Sequence, residues 1–580
     1  MIAQVVFDLP LEGPFVYLIP EHLAAQVSIG SRVKVSFGPR AQIGFVIGIL
    51  EKSAIAQLKP VLSLVDGSPV FNDLDLVFAR EFRAYYGCSL GEALATILRN
   101  KTGPQLTVRR EHKPQYSLYQ YQPDHYTDKI REIMESYRGH SKGSRFLILV
   151  ADSFRGEFFL NQFKGTDHVK IGSRSLVFEC DGQYDCVVMV DEEDPSYKQE
   201  QMPMYETRQV LLTRSQMFGF DVAFVGVSPS VELMALVRND PEVKLIEGPR
   251  ESIPPAKLVD LSNYKFIPGL LSPPLRDALD SALKAGKKGI LVLNRRGSYR
   301  LTRCVDCGEI LKCSHCDSPM IYSRSEGKFL CRHCTYTAPG DTVCSKCRKP
   351  SWKSVGIGVE QLQTELKKQF PQAKIFAFER SIKREVKQSL PDFDILISTS
   401  AVLRFQGVLK AQLAAFIDFD AELNRIEVRS AFNAFSLVLH ISSMASEPVF
   451  IQTRNSDHYV LQSLSRGKHK DFYDEELKLR KEFGFSPYKH WVKISWRGKS
   501  EKSTHQAAQQ VYDELSQASS GKKYTITPPL ADMVGRKRDQ FRFNVMLQTN
   551  QVPPAVAFIK STLQKIKRPS RVIVTLNIDP

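Results

Sequence analysis

Four Cys-x-x-Cys pairs fall in one short stretch: Cys304/Cys307, Cys313/Cys316, Cys331/Cys334 and Cys344/Cys347. They use eight of the chain's 11 cysteines. Two residues between paired thiolates is the spacing that puts both sulfurs on one tetrahedral metal ion. Eight ligands suffice for two Zn²⁺ ions in closed Cys₄ sites. A closed site leaves no position for a reacting water, so both ions are expected to be structural. His315 and His333 lie beside ligands, but eight thiolates are enough without them.

A second signal is acidic. The apolar run 186–190 ends in Asp191-Glu192-Glu193-Asp194. Carboxylates at the end of a buried strand can hold Mg²⁺ and orient the water that attacks ATP. Taken alone, the same run also reads as an acidic turn.

These groups need a scaffold, and the chain is long enough for several domains. It has 580 residues, 43% of them hydrophobic, whereas single cores stop growing near roughly 250–300 residues. The first residues lack the basic flank and apolar run of a signal peptide. No stretch approaches the roughly 18 apolar residues of a membrane span. With the cysteine pairs, this points to a reducing cytosol and no membrane. The formal net charge of +16 favours polyanions, nucleic acid first.

Residues 1–103 read as a β-rich unit with a helix beginning at Asp73. Residues 104–143 read as a polar linker with Pro104, Pro114 and Pro123, its tyrosines and arginines either solvated or available to stack on bases. Buried apolar runs then recur at 146–150, 186–190, 222–225, 290–293, 395–397 and 414–417, with helix-like segments between them. That alternation implies α/β lobes with parallel sheets, whose function collects beyond the strand C-termini. The cysteine stretch interrupts the pattern as an inserted module.

Around the acidic run the order of motifs is specific. Pro195-Ser196-Tyr197-Lys198-Gln199 follows it, then Met204-Tyr205-Glu206-Thr207-Arg208. Leu293-Asn294-Arg295-Arg296-Gly297 leads into the cysteine module, and Val355-Gly356-Ile357-Gly358-Val359-Glu360-Gln361-Leu362 follows it. This ordered set resembles the PriA family of bacterial replication restart proteins, which are superfamily 2 helicases. The N-terminal marks are Pro14-Phe15-Val16-Tyr17, Leu58-Lys59-Pro60-Val61 and Tyr85-Tyr86, and the C-terminal ones Arg542-Phe543-Asn544-Val545 and Ile578-Asp579-Pro580.

The resemblance implies a multidomain α/β chain. It comprises a β-rich 3′-end DNA-binding domain (1–103), a linker with the winged-helix region reduced or absent (104–143), a truncated RecA-like lobe 1 (144–250), a connection with the start of lobe 2 (251–302), a two-zinc insertion (303–350), the rest of lobe 2 (351–455) and an α+β C-terminal domain (456–580). It implies that Cys304, Cys307, Cys344 and Cys347 share one ion and Cys313, Cys316, Cys331 and Cys334 the other. It places Phe15 and Lys59 in the pocket for a DNA 3′ end, although the family's usual acidic residue is Val16 here. Tyr197, Lys198 and Arg208 would belong to a loop that touches DNA, and the basic cluster Arg536, Lys537, Arg538 and Arg542 would meet phosphates.

The departures concern the motor. The phosphate cradle, Gly-x-x-x-x-Gly-Lys-Ser/Thr, is nowhere in the chain. The strand that would carry it is expected to be deleted. Met444 and Glu447 stand where the family supplies arginines to the transferring phosphate. Asp191 and Glu192 are then remnants, and neither ATP nor Mg²⁺ is expected. The reading is a monomeric, cytoplasmic, nucleoid-associated restart protein. It would bind stalled forks and D-loops and promote primosome assembly and replicative-helicase reloading, without ATPase or helicase activity. Single-strand DNA-binding protein and other primosome proteins are its expected partners. The alternatives are an active 3′-to-5′ helicase with an unconventional nucleotide site, or a zinc-module nucleic-acid adaptor.

Overall fold

The computed structural model describes every residue except 54, 56, 100–106, 140–142, 249–253, 265–269, 294–300, 308, 315–318, 324–326, 332–335, 356–357, 379–389, 426, 520–523, 538–539, 567–568 and 570. The side chains of 301, 323, 354–355 and 533–537 are likewise outside the description. Cys316, Cys334 and Arg538, and the side chains of Arg536 and Lys537, therefore lie outside the described set.

Strands β1 (Ile2–Val6), β2 (Phe15–Leu18), β3 (Arg32–Phe37), β4 (Arg40–Leu50) and β5 (Val61–Leu64) form an antiparallel sheet in the order β2-β1-β4-β3-β5. Period-two burial sets its register: Val33 and Val35 are buried and Lys34 between them is exposed. Helices α1 (Asp73–Tyr86) and α2 (Leu90–Leu98) follow. A capping box between Asn72 and Asp75 starts α1, and Gly87 ends it with φ at 70°.

The first parallel sheet overturns one expectation. Residues 104–143 are not a linker: they contribute β6 (Tyr116–Gln120) and α3 (Tyr126–Arg138). With β7 (Phe146–Leu149), β8 (Val169–Gly172), β9 (Cys186–Val190), β10 (Asp221–Gly226) and β11 (Lys244–Glu247), β6 completes a six-stranded sheet ordered β11-β6-β10-β9-β7-β8. All its pairings are parallel. The strand expected to be deleted is thus present, between β10 and β11. Tyr126, Ile130, Ile133 and Met134 on one face of α3 are buried against the sheet. Helices α4 (Ser153–Gln162), α5 (Thr207–Phe218) and α6 (Val231–Asn239) complete this lobe.

Lobe 2 is a second parallel sheet. Its strands are β12 (Lys257–Asp260), β13 (Gly289–Val292), β19 (Ile375–Phe378), β20 (Ile395–Ser398), β21 (Leu413–Phe416) and β22 (Phe450–Thr453), ordered β12-β22-β21-β13-β20-β19. Helices α7 (Pro273–Lys284), α8 (Val359–Gln369), α9 (Asp420–Leu423) and α10 (Ser430–Ser442) accompany it. The cysteine module interrupts the lobe between β13 and α8. It holds β14 (Leu301–Cys304) paired with β18 (Trp352–Val355), and a small sheet of β15 (Ile321–Ser323), β16 (Lys328–Leu330) and β17 (Thr337–Pro339).

After α11 (Tyr459–Arg466) and α12 (His469–Phe483) comes a final sheet of β23 (His490–Gly498), β24 (Thr525–Ile526), β25 (Leu530–Lys537), β26 (Gln540–Thr549) and β27 (Ile573–Ile578). Its apolar face (Val492, Ile494, Trp496, Val545, Leu547) is buried with residues of α13 (Glu501–Ala518) and α14 (Val552–Lys565). Lys560 of α14 donates to Cys88 O at 3.0 Å and pairs with Glu12 at 2.5 Å, tying this domain to the N-terminal one. Among the described residues, no helix is long and apolar enough to cross a membrane.

Candidate functional site

In the first parallel sheet, the chain leaves β6 toward β7 and leaves β10 toward β11 on the other side. A crevice forms at such a switch point, outside the strand C-termini. Three loops border it: 121–125 after β6, 191–194 after β9 and 227–230 after β10. The first occupies the strand-to-helix turn where a phosphate cradle would sit. It reads Tyr121-Gln122-Pro123-Asp124-His125, without glycine. Pro123 has no N–H, and the His125 N–H is already bound to Gln122 O at 3.0 Å. Asp124 puts a carboxylate there and pairs with Lys410 of lobe 2.

Each carboxylate of the acidic loop is bound by at least one protein group. Asp191, at φ 46°, accepts the Tyr126 hydroxyl at 2.6 Å on one oxygen and the Arg155 guanidinium on the other. Glu192 pairs with buried Arg208 and accepts the Ser230 N–H at 2.7 Å. Glu193 accepts the Ser228 hydroxyl at 3.0 Å and lies 2.8 Å from Nε2 of His440, on α10 of lobe 2. Asp194 accepts the Ser196 N–H at 2.9 Å, capping the next turn. Arg155 also donates to Gln406 Oε1 at 3.2 Å, and Gln406 holds Nδ1 of His440 at 2.8 Å. Side chains thus join the two lobes across the crevice.

The electrostatics follow from burial and pairing. Burial pushes Glu193 up to about 7, against the pull of its His440 hydrogen bond. Burial alone would lower His440, but Glu193 and Asp191 hold its pKa above the ordinary imidazole value. Burial likewise opposes the charge on Arg155 and Arg208, yet Asp191 keeps Arg155, and Glu192 keeps Arg208, above the usual guanidinium range. The space left beside Pro123, Tyr126, Arg155, Asp191, Arg404 and Gln406 is about 30 Å³. That is roughly one water's share of liquid volume, about 30 Å³, where ligand pockets run to about 300–1,000 Å³.

The expected DNA loop after the acidic motif is folded inward. Tyr197 is 0% exposed, and its hydroxyl lies 3.0 Å from Leu149 O and 2.9 Å from Val190 O. Lys198 donates to Ile578 O at 2.6 Å, and burial lowers it to about 8. Arg208 sits among Glu192, Glu206 and Glu232. Tyr197 thus packs into the sheet core, Arg208 lies among buried carboxylates, and Lys198 is half-buried against a backbone carbonyl. Met444 is also buried, and Glu447 accepts from Gln412 at 2.7 Å.

Phe15 and Lys59 are not brought together. The Phe15 ring packs on Phe37 and Phe7, with centroids at 5.1 and 5.5 Å. Lys59 is exposed and lines an open groove of about 900 Å³ with Ile2, Leu18, Lys52 and Gln57. Arg542 is half-buried on β26, opposite Arg497 on β23.

Among the cysteines, the structure joins the outer pairs. The sulfurs of Cys304, Cys307, Cys344 and Cys347 all lie within 4.8 Å of one another, with Cys304–Cys347 and Cys307–Cys344 at 3.5 Å. The β14–β18 pairing brings the first pair to the last, and the turns Cys304 N–H→Glu309 O (2.8 Å) and Cys344 N–H→Lys349 O (2.9 Å) shape each half. Backbone N–H groups led by that of Cys347 hold Cys344 down to about 7, favouring the metal-binding thiolate. Cys313 and Cys331 share a small core with Met320, Phe329 and Ala338. The outer four residues fit a tetrahedral metal ion by donor type and convergence.

Tyr126, Arg155, Ser228, Ser230 and His440 partner the acidic loop and Gln406 joins Arg155 to His440, yet nothing in their local sequence marks them. The helical spacing of Tyr126, Ile130, Ile133 and Tyr137 was the available clue to α3.

The family model of the PriA 3′ DNA-binding domain matches residues 4–99. Replication restart protein PriA of Treponema pallidum (strain Nichols) is 24% identical over 654 aligned residues, covering 100% of this chain and 99% of that protein. PriA of Rickettsia conorii (strain Malish 7) is 23% identical and covers 100% and 99%. A solved structure it matches, a DUF1998 helicase MrfA bound to DNA, is more distant: 10% identical, TM-score 0.34, covering 61% of this chain and 49% of that one. The chain is thus similar to PriA proteins along its whole length, with a match to the PriA 3′ DNA-binding domain at its start.

Proposed function

We propose that this chain is a replication restart protein that binds forked or branched DNA through its N-terminal domain and does not hydrolyse ATP. The observation that carries the second half is the crevice. Arg155 and Tyr126 occupy Asp191, Arg208 occupies Glu192, and about 30 Å³ remains. A nucleotide has no room there, and no glycine loop offers N–H groups to its phosphates. The lobes then serve as a rigid frame. Two Zn²⁺ ions would order the inserted module, whose surface would meet single-strand DNA-binding protein, other primosome proteins and the replicative helicase. The chain would act as a monomer at the nucleoid, helping reload the helicase at stalled forks and D-loops.

DNA affinity tests this reading. Forks with a free 3′ end should bind more tightly than forks with a blocked one. Lys59→Ala should weaken binding to the free-ended fork roughly tenfold or more, since a charge-assisted hydrogen bond contributes about 1.5–3 kcal/mol. Lys59 is exposed, so the variant should keep its fold. Equal affinity of the wild type for free-ended forks, blocked forks and plain duplex would argue against a restart role.

A further inference from the structure

The pairings of the acidic loop leave one polar atom unexplained. Oε2 of Glu193 is buried with no hydrogen-bond partner among the described residues. Its side chain is only 4% exposed, and that of His440 only 6%. Asp191, whose side chain is 3% exposed, completes a cluster with these two: one donor atom from each lies within 4.8 Å of the others. A buried carboxylate oxygen left unpaired forfeits its hydration without compensation, so an occupant is called for.

We propose that Asp191, Glu193 and His440 bind a divalent transition-metal ion at the junction of the two lobes. Each ligand is already oriented by an outer hydrogen bond: Tyr126 Oη to Asp191 at 2.6 Å, Ser228 Oγ to Glu193 at 3.0 Å, and Nδ1–H of His440 to Gln406 Oε1 at 3.1 Å. Such outer partners hold the ring and carboxylates in ligating poses. One imidazole with two carboxylates suits Mn²⁺, Fe²⁺, Co²⁺ or Zn²⁺ better than Ca²⁺ or Mg²⁺, which take oxygen alone. The charges of Asp191 and Glu193 match those of a divalent ion, and Arg155 adds one positive charge beside them. Binding replaces the hydrogen between Glu193 and His440 and releases it as a proton. Ligands come from the loop after β9 in lobe 1 and from α10 in lobe 2, so the ion fixes the lobes without any nucleotide.

Cobalt titration of the full chain, loaded with only the two equivalents of zinc that its thiolate sites take, tests the site. Wild type should take up one Co²⁺ that shows d–d absorption without a thiolate charge-transfer band. His440→Gln keeps a hydrogen-bonding group beside Glu193 but is a poor ligand. It should lose that ion while keeping its far-UV circular dichroism, and Glu193→Gln should do the same. Lys410→Ala, which removes a neighbouring interlobe ion pair, should retain the ion. Failure of folded wild type to bind Co²⁺ outside the thiolates would overturn the proposal and leave a hydrogen-bonded latch. Uptake unchanged in His440→Gln would overturn it too.

Discussion

Chelation of the purified protein should unfold the cysteine module while both parallel sheets persist. The module's strands are three or four residues long. Its apolar core is small: Cys313, Met320, Phe329, Cys331 and Ala338, flanked by Leu311, Tyr322, Tyr336 and Trp352. Isolated two- and three-stranded sheets of that size are marginal in water. Structural zinc contributes about 10–16 kcal/mol in comparable peptides, far more than such a core supplies. Cys344→Ser, removing one of four converging sulfurs, should act like the chelator. Trp352 reports the change, since its indole N–H donates to Thr342 O at 2.5 Å across the module. Hydrogen exchange should rise across 301–355 and stay low in β9 and β13. Unchanged protection after chelation would mean the thiolates hold no structural metal.

Arg208→Ala should lower stability by about 3–5 kcal/mol, the usual cost of leaving a buried charge unpaired. Arg208 faces Glu192 and Ser230 directly, with Glu206 at 3.7 Å and Glu232 at 3.8 Å. Burial would raise Glu232, but Arg429, Arg480 and Arg208 hold it down to about 2. Removing one of these arginines therefore leaves several carboxylates less well balanced. The urea midpoint should fall, and adding Glu192→Gln should restore part of the loss. If Arg208 were a DNA contact, stability would hardly change and fork affinity would drop instead. A shift under about 1 kcal/mol would place Arg208 at a surface ion pair.

What could be read in the sequence was local. Cysteine spacing, the helix beginning at Asp73 and runs such as Cys186–Val190 depend on neighbours a few residues apart, and each has its counterpart in the structure. Strand β6 was hidden because Tyr116-Ser117-Leu118-Tyr119-Gln120 is not a continuous apolar run, although it sits inside a parallel sheet. Only Leu118 is fully buried, and the tyrosines on either side are half-buried. The partners of the acidic loop were hidden for another reason. His440 meets Glu193 across 247 positions and Arg155 meets Gln406 across 251, so only the packed lobes bring them together. The absent glycine loop was visible, but not that tyrosine and arginine side chains fill its place.

ATP turnover by the zinc-loaded protein on forked DNA tests the closed crevice most directly. A closed crevice predicts the same background rate with and without DNA, unchanged by Glu192→Gln. DNA-stimulated hydrolysis that disappears in Glu192→Gln would show that Arg208 and Arg155 yield their carboxylates to a nucleotide, and would contradict it.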